Sequence, residues 1–504
     1  MSAAIPRAVW WVRLSWFWFV LLAPLVVFSN GRWQIAIVAL ASPFIARLFL
    51  FSQPALKGLL IFLPLQLGGY LVMWWEVIPA PGILYYIIAA TYGLCHFVPF
   101  AVDRIMSTRI AGFASTLILP VCWFLVEILI QLFTPYGSWS SVGYTQMGHG
   151  LLTPLAAWIG VAGVAFATLW IASATSWFVI STAPVRRRAI NVAVWAGAVV
   201  ALVWLAKPPA QSELRIVQPL TVAAITPSYD LTRRVDLAMR AATRKGETDA
   251  ADLAGIDSIA TELNDDLILR SRDAAQSGAR LIVWSETAGR ILGSQEHRIL
   301  AKGQEVAREE GAYLFIGIGV WHPGQQPPRE NKVVAIMPSG KIAWQYRKAK
   351  PIVGSEAPFL PPGHNELAIL DTPFGRLGLV ICHDLDFADF VVQAGRKEVD
   401  LLLAPSADWS AIADLHARMG IMRGVENGFW LLRPAYAGKS VIASPAGHVT
   451  HSQYDAELES RVFVGQIPIM RNTTMYPQIQ SYLPLVALVL LAGLLVIAWR
   501  KDPS

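Results

Sequence analysis

Charge is scarce in this sequence: Asp, Glu, Lys and Arg make up only 15% of its 504 residues, whereas 55% are hydrophobic. Soluble globular domains carry about 25% charged residues. The shortage is concentrated in residues 1–206, which are an almost continuous series of apolar stretches, and in residues 482–499. Residues 207–480 have an ordinary globular composition. The composition therefore excludes a fully soluble protein and predicts a membrane protein with one polar domain.

Cysteine is also scarce, because the chain has only three. Three cysteines cannot form a disulfide framework, and Cys95 and Cys122 lie within apolar stretches where simple packing explains them. Cys382 is the one cysteine of the polar region and is expected to be a free thiol. It could be a buried small hydrophobe. A lone thiol is nevertheless a liability in an oxidising compartment, which favours a chemical role.

Several binding signatures are missing. The sequence has no basic patch interleaved with aromatic residues, no Gly-rich phosphate loop and no zinc-type spacing of Cys and His. Binding of nucleic acid, nucleotide or metal therefore has no support, and no cofactor is expected. The net charge of +6 is explained instead by basic residues at the ends of the apolar stretches.

The apolar stretches predict a multi-pass α-helical membrane domain. About eight transmembrane helices are expected, near residues 8–28, 33–51, 57–77, 81–102, 110–133, 151–181, 189–206 and 482–499. The first stretch lacks an obvious small-residue cleavage site, so we expect a retained anchor rather than a signal peptide. The predicted domains are seven helices in 1–206, a polar domain in 207–480, and a last helix with a short tail in 481–504.

Basic residues indicate the orientation of these helices. They cluster at alternate ends of the apolar stretches, and the clusters are Arg7 and Arg13, Arg47 and Lys57, Arg104 and Arg109, Arg186 to Arg188, and Arg500 and Lys501. Cytoplasmic loops are enriched in Lys and Arg. We therefore expect both termini in the cytoplasm and residues 207–480 on the opposite, extracytoplasmic side.

The polar region alternates short β-rich runs with charged helical stretches, which is typical of an α/β domain. Strands are predicted at 220–226, 279–286, 312–321, 331–337, 376–384, 399–406, 429–437 and 440–445. Helices are predicted at about 231–244, 254–276, 295–310 and 411–427. In the second helix, apolar residues recur at helical spacing with charges opposite, which predicts a helix lying on a sheet.

Three predicted strands end in groups that can ionise. Glu286 follows LIVWS, Lys348 follows a strand around residues 344–346, and Cys382 follows LGLVI. A thiol needs a base, because its own pKa leaves it mostly protonated near neutrality. Acyl transfer also needs positive charge where an oxyanion develops. Taken singly, Glu286 and Lys348 would be solvated surface charges, but together with Cys382 they predict a nucleophilic site.

Three segments carry a resemblance to a known family. VWSETA (283–288), YRKAKPIVGSE (346–356) and ICHDLDF (381–387), in this order, resemble the catalytic segments of the carbon–nitrogen hydrolase (nitrilase) superfamily. A domain of that kind between membrane helices resembles the apolipoprotein N-acyltransferase family. FTPYGSWSSVGYTQ (133–146) and the spacing of His416, Met419, Arg423 and Glu426 agree with it. The resemblance implies a nitrilase-like αββα sandwich in the polar region.

The resemblance assigns a role to each residue that matches a family motif. Glu286 would be the general base, Lys348 the cation that stabilises the oxyanion, and Cys382 the nucleophile. Glu356 would be a supporting carboxylate near the lysine. We further expect Lys348 and the turn backbone to lower the pKa of the Cys382 thiol.

The sequence departs from the family pattern at a few positions. The family's tyrosine after the cysteine is His383 here, which either tunes the thiol or fills the aromatic position. His383, Trp409 and Tyr144 are possible substrate contacts, although interfacial anchoring explains the aromatic residues equally well. Glu127, an ionisable residue within a predicted span, either caps a polar pocket or lies near the interface.

The resemblance implies an enzyme that moves an acyl chain from a phospholipid, through a Cys382 thioester, to the lipid-modified N-terminal cysteine of bacterial apolipoproteins. Such an enzyme would be embedded in the bacterial inner membrane, with its catalytic domain outside the cytoplasm. One alternative is a membrane-tethered amidase or nitrilase-type hydrolase that uses water as the acceptor. Another is a catalytically silent protein that binds lipids or lipoproteins. Replacement of a residue of the family's catalytic triad, which is Glu286, Lys348 and Cys382 here, would favour the latter, and none is replaced.

Overall fold

The computed structural model describes residues 10–148, 151–206, 219–244, 249–457, 461–470 and 472–500. The chain divides into two compact units, one formed by Met1–Pro209 with Met475–Ser504 and the other by Ala210–Thr474. Parts of three predicted features lie outside the described residues. These are the start of the first helix with Arg7, most of the junction between the units (207–218), and the C-terminal tail with Lys501.

Helices α1–α8, α14 and α15 belong to the first unit, and α9–α13 belong to the second. Over the described ranges, numbered along the chain, the α-helices are α1 (Trp10–Arg13), α2 (Ser15–Phe28), α3 (Ala36–Ser52), α4 (Ala55–Met73), α5 (Ile83–Met106), α6 (Ile118–Phe133), α7 (Ala156–Ile180), α8 (Val185–Ala206), α9 (Tyr229–Arg244), α10 (Ala250–Gln276), α11 (Glu296–Glu310), α12 (Ala388–Arg396), α13 (Ala413–Asn427), α14 (Tyr476–Ile479) and α15 (Leu483–Arg500).

The helices of the first unit are apolar and confirm the predicted multi-pass membrane region. Within the described residues, six segments are long and apolar enough to cross a membrane: Ala55–Met73, Ile83–Met106, Gly112–Phe133, Thr153–Ile180, Val185–Ala206 and Tyr476–Trp499. Helices α2 and α3 are apolar but shorter. That these two also cross the bilayer stays a prediction.

Two arginines of the orientation pattern are buried between helices of the first unit. The guanidinium of Arg47 on α3 donates to Asp103 on α5 (2.8 Å) and to the Ser173 carbonyl on α7 (2.6 Å). Arg104 donates to the carbonyls of Leu50 (2.9 Å) and Gln53 (2.8 Å), at the end of α3. Buried charges need such partners, and a cation at a helix C-terminus is favourable. Both arginines therefore join helices of the first unit.

Glu127 of α6 is buried and organises the loop that follows its helix. Its carboxylate accepts the indole N–H of Trp123 (2.9 Å), the hydroxyl of Ser141 (2.6 Å) and the backbone N–H of Val142 (3.1 Å). These three bonds satisfy a group that would otherwise be costly to bury. Glu127 thus anchors residues 141–142 of the loop, a role that the sequence had left undecided.

The strands belong to the second unit, where the described residues form two large β-sheets and a short two-stranded one. They are β1 (Leu220–Ile225), β2 (Leu281–Trp284), β3 (Gly289–Leu292), β4 (Tyr313–Trp321), β5 (Arg329–Ile336), β6 (Ile342–Arg347), β7 (Ala368–Thr372), β8 (Gly375–Leu379), β9 (Leu401–Leu403), β10 (Ser406–Ala407), β11 (Trp430–Arg433), β12 (Ala435–Tyr436), β13 (Lys439–Ala443), β14 (Val449–Tyr454) and β15 (Val462–Ile467). One large sheet has the order β15-β1-β2-β4-β5-β6, with β3 also paired to β4. The other has the order β14-β13-β11-β9-β8-β7, and β10 pairs with β12.

The two large sheets form the middle layers of a four-layer α-β-β-α sandwich. They face each other, since the Trp344 indole of β6 donates to the Ile369 carbonyl of β7 (2.9 Å) and Gly465 of β15 lies against Ile442 of β13. Helices α9–α11 cover the first sheet, and α10 buries Leu263 there. Helices α12 and α13 lie on the side of the second sheet. The fold class predicted for this region is confirmed.

The parallel strands determine where functional side chains meet. Strands β1, β2 and β4 run parallel, as do β8, β9 and β11, because helical connections join them. Residues that follow β2, β8 and β9 therefore emerge at carboxyl ends of parallel strands, where α/β folds commonly place reacting groups.

Candidate active site

Cys382 follows Val380 and Ile381, which come after strand β8 of the second sheet, and is the first residue of a tight 3₁₀ turn, Cys382–Asp386. It is buried, and its backbone N–H donates to the Pro405 carbonyl (2.9 Å). Its φ is +48°, in the left-handed region that residues other than glycine seldom adopt. Such strain persists only where the surroundings enforce it, and it clusters at functional sites.

Asp384 holds this turn in place. Its carboxylate accepts the backbone N–H groups of Ile381 (2.9 Å) and Lys350 (2.7 Å) and the hydroxyl of Tyr346 (2.8 Å). The acid therefore connects the turn of the nucleophile to the segment that carries the lysine. This contact explains why an acidic residue suits the second position after the cysteine.

Lys348 lies between two carboxylates. Its ammonium is 2.8 Å from Oε1 of Glu286 and 2.7 Å from Oε2 of Glu356. Lys348 is 1% exposed and Glu286 is 4% exposed, so these two side chains are shielded from water, whereas Glu356 is partly exposed. A buried cation requires such compensation. The structure thus brings together three of the residues that the motifs single out.

Glu286 has two further partners that the sequence did not indicate. The Asn331 amide donates to its Oε1 (2.6 Å), and the Ala407 backbone N–H donates to its Oε2 (2.9 Å). The thiol of Cys382 faces the carbonyl oxygen of the same Ala407 at 3.8 Å. Residue 407 therefore contacts both the predicted base and the predicted nucleophile. No motif in the sequence marks Asn331, whose position depends on the pairing of β4 with β5.

The charge states follow from burial and these contacts. Burial alone would lower the pKa of Lys348, but the carboxylates of Glu286 and Glu356 raise it well above its usual value, so the side chain is a cation. Burial opposes ionisation of Glu356, yet Lys348 holds the pKa of that carboxyl below its usual range. Lys348 is therefore a permanent cation, held between two carboxylates.

The expectation of a lowered thiol pKa is wrong. Burial, followed by the negative charge of Glu286, raises the pKa of Cys382 well above its usual value, and the opposing effect of Lys348 is smaller. The thiol is therefore neutral before reaction. A neutral thiol beside a carboxylate reacts when the carboxylate removes its proton during attack. This arrangement makes a base essential.

A second buried network lies near Cys382. His416 on α13 contacts Asp408, which follows β10, and Asp386, which ends the nucleophile turn. The Arg433 guanidinium lies 2.8 Å from both oxygens of Asp408. The motif spacing noted His416, but Asp386, Asp408 and Arg433 are functional candidates that sequence reasoning missed.

Metal binding at this network is disfavoured by its charges. Ligand atoms of Cys382, Asp408 and His416 lie within 4.8 Å of one another, which is close enough for a shared cation. However, Asp408 already binds the Arg433 guanidinium and the His416 ring. An arriving cation would have to displace one partner and face the arginine charge. The residues present therefore fit a hydrogen-bond network better than a metal site.

Of the three predicted substrate contacts, two belong to the second unit and one to the first. His383 is buried, and its Nδ1 lies 2.5 Å from Asp386, so it joins the network in addition to filling an aromatic position against Phe387. Trp409 is half-buried and adjacent in sequence to Asp408. Tyr144 belongs to the first unit, where it is fully buried with its hydroxyl 2.6 Å from Ser138. Its role as a substrate contact stays a prediction.

Comparison with known proteins identifies the family. The carbon–nitrogen hydrolase family model matches residues 216–471. An apolipoprotein N-acyltransferase from Pseudomonas syringae pv. tomato is 27% identical over 262 residues, which are 47% of this chain and 51% of that protein. One from Neisseria meningitidis serogroup B is 22% identical over 414 residues, 75% of each chain.

A solved structure is similar over about half of the chain. The crystal structure of an amidase from Nesterenkonia sp. has 18% sequence identity and a TM-score of 0.40, and covers 53% of this chain and 96% of that chain. In the Pseudomonas match, the chain spans about half of the relative's length. The family model covers half of this chain, and the resemblance predicted from the three motifs is confirmed. This chain belongs to the carbon–nitrogen hydrolase family.

Proposed function

We propose that this protein is an apolipoprotein N-acyltransferase that works through a thioester on Cys382. The observation that carries the proposal is the buried Lys348 ammonium, held between the carboxylates of Glu286 and Glu356 and beside a neutral Cys382 thiol. The same chain contains an apolar helical unit, and its relatives include apolipoprotein N-acyltransferases. An acyl-transferring site with a membrane domain suits substrates that are anchored in a lipid bilayer.

In the first half-reaction, Glu286 accepts the thiol proton while Sγ of Cys382 bonds to the carbonyl carbon of a phospholipid ester. Negative charge develops on the carbonyl oxygen, where the Lys348 cation stabilises it. The carbon–oxygen bond then breaks, and Glu286 returns the proton to the leaving oxygen. A lysophospholipid departs, and the acyl chain remains on Cys382 as a thioester.

In the second half-reaction, the α-amino group of a lipid-modified N-terminal cysteine attacks the thioester carbonyl. Glu286 accepts the amine proton, Lys348 again faces the oxyanion, and breakage of the carbon–sulfur bond releases an amide. The sulfur regains the proton, so Cys382 is restored. One nucleophile used twice gives ping-pong kinetics.

The location follows from the substrates and from the basic residues at the ends of the apolar stretches. We place the protein in a bacterial inner membrane with both termini in the cytoplasm and the α/β unit outside. Reporter fusions test this placement: alkaline phosphatase should be active at Ala250 and inactive at Ser504. Activity at Ser504 would contradict it.

The acylation experiment uses purified full-length protein in detergent–phospholipid micelles and intact-mass spectrometry. We expect a long-chain acyl adduct on Cys382 that hydroxylamine removes. A diacylated lipopeptide with a free α-amine should clear the adduct, whereas the same lipopeptide with a blocked amine should not. Cys382→Ser should form no adduct, because a serine alkoxide is far harder to generate than a thiolate.

Two outcomes would contradict the proposal. Absence of an adduct with every phospholipid offered would exclude the thioester. An adduct that water clears as fast as the free-amine lipopeptide would indicate the hydrolase alternative. In cells, mass spectrometry of lipoprotein N-termini with and without this protein should show loss of the N-acyl chain when the protein is missing.

A further inference from the structure

Two short segments enclose the Cys382 sulfur, and neither belongs to a large sheet. One is the turn Cys382–Asp386, whose first residue has a left-handed backbone. The other is the segment 406–408, in which Ala407 offers its N–H to Glu286 and its carbonyl to the thiol. The relative position of these two segments sets the distance between the base and the nucleophile.

His416 on α13 connects the two segments. Its Nδ1 lies 2.8 Å from Oδ1 of Asp408, at the end of one segment, and its Nε2 lies 3.4 Å from Oδ1 of Asp386, at the end of the other. The ring is 1% exposed, and both carboxylates are buried. One imidazole thus contacts both of the segments that lie next to the Cys382 sulfur.

The charges of the network favour this bridge. Burial and the nearby Arg433 disfavour the charged ring, but Asp386 and Asp408 outweigh them and raise the pKa of His416 to about 9. Each ring nitrogen thus faces a carboxylate, Nδ1 at 2.8 Å from Asp408 and Nε2 at 3.4 Å from Asp386. The Arg433 Nη2 lies 2.8 Å from both oxygens of Asp408 and also 2.8 Å from Nδ1 of His416, so the guanidinium lies beside the ring and anchors the Asp408 end of the bridge.

We propose that His416 is a positioning residue for the reaction at Cys382: its ring ties the nucleophile turn to the 406–408 segment that aligns Glu286. The residue touches neither substrate nor the transferred proton in this role. Turnover measurements rest on the proposed acyl transfer, whereas chemical labelling of Cys382 does not, so the two ideas can fail separately.

Loss of the bridge should reduce rates more than it reduces stability. Misplacement of a reacting group by about 1 Å can lower a rate by about 10²-fold. His416→Ala should therefore lower kcat by about 10²-fold, leave KM nearly unchanged, and slow alkylation of Cys382 by iodoacetamide. His416→Asn can retain a donor near the Nδ1 position, and His416→Gln can retain one near Nε2. Because the Asp408 contact is the shorter one, Asn should preserve more activity than Gln.

The test compares these variants with Met422→Ala in the full-length protein. Met422 is a fully buried residue of the same helix, and its truncation removes apolar packing without removing a hydrogen bond. Thermal unfolding by circular dichroism, the rate of Cys382 alkylation by peptide mass spectrometry, and kcat and KM are measured for each. We expect Met422→Ala to match or exceed the stability loss of His416→Ala while keeping near-wild-type rates.

Each outcome decides the proposal. The proposal is supported if the rates decrease in the order His416→Asn, His416→Gln, His416→Ala while Met422→Ala stays near the wild-type rate. A wild-type alkylation rate in His416→Ala would overturn it, as would an equal rate loss in Met422→Ala. If every His416 variant fails to fold while Met422→Ala folds, the role is structural and the proposal is wrong. Slower alkylation in a protein whose wild type transfers no acyl chain would leave the positioning role in place and refute the proposed function.

Discussion

The two units treat buried charge in different ways. In the membrane unit, Arg47 and Asp103 neutralise each other, and the Glu127 carboxylate is satisfied by neutral donors. Their contacts join helices or hold a loop. In the α/β unit, one cation, Lys348, is shared between two carboxylates and lies beside a neutral thiol.

The difference shows that a buried charge does not by itself indicate chemistry. Arg47 and Lys348 are equally well buried, at 2% and 1% exposure. The two residues differ in their surroundings. The hydrogen bonds of Arg47 join helices, whereas the cluster of Lys348 lies beside a thiol that can react. Substitutions should therefore affect stability in the first unit and rate in the second.

The largest effect should come from removal of the base. Glu286→Gln keeps the shape of the side chain but cannot take a proton. Its single carbonyl oxygen can accept the hydrogen bond of Asn331 or that of Ala407, since these two groups donate to different oxygens of Glu286. General-base catalysis contributes about 10²–10⁴-fold, and acylation of Cys382 should slow by that factor. Single-turnover acylation followed by intact mass is the measurement. A loss below about tenfold would mean that another group removes the proton.

Arg47→Met should show the opposite behaviour. Removing one partner of a buried ion pair destabilises by about 3–5 kcal/mol, because the other charge remains buried. Thermal unfolding should detect this loss, and the double variant Arg47→Met with Asp103→Leu should recover much of it. Alkylation of Cys382 in the folded protein should stay unchanged. A large change in alkylation would remove the distinction between the two units.

Lys348→Met should slow both half-reactions. Loss of one oxyanion-stabilising group costs about 3 kcal/mol, or about 10²-fold in rate. Lys350→Met is a matched control, since the Lys350 ammonium lies over the rings of Phe387 and Phe390 and its backbone contact to Asp384 survives the change. Separate measurements of the acylation and deacylation rates test this prediction. If Lys350→Met lowers these rates as much as Lys348→Met does, Lys348 is not the cation that stabilises the oxyanion.

The smallest effect concerns pH. Because the pKa of Cys382 is raised, less thiolate is present at a given pH than in a free thiol. Alkylation by a neutral haloacetamide should therefore be slower than for a free thiol at neutral pH and should still be rising at about pH 9. A rate profile against pH measures this, and removal of the cation in Lys348→Met should shift the profile further upward. A plateau near neutral pH would instead restore the lowered pKa that the sequence suggested.

Sequence reasoning located the strongly apolar elements of the α/β unit well. All of the strands predicted there are present in the described residues, with β10 and β12 separated from their longer neighbours. Strands β3, β7, β14 and β15 were missed. The last three lie at the edges of their sheets, and β3 is a short strand that pairs with β4. Edge strands carry more polar residues and a weaker apolar pattern. The short helix α12 was missed as well.

The candidate site was only partly predictable. Glu286, Lys348, Glu356 and Cys382 lie in motifs, and the structure brings the first three into direct contact. Asn331 and Ala407 contact Glu286 through strand pairing and a turn that no local pattern encodes. The predicted direction of the shift in the Cys382 pKa was wrong. The shift depends on burial and on the negative charge of Glu286, and neither can be read from sequence spacing.

The left-handed backbone of Cys382 has a consequence for how the position was selected. A residue with a side chain in this region costs about 1–3 kcal/mol relative to an unstrained one, and glycine would remove most of that cost. A sequence chosen only for the stability of this backbone would therefore carry glycine at 382. If Cys382 is the nucleophile that we propose, the cysteine found there supplies the thiol for the reaction at the expense of a more stable turn.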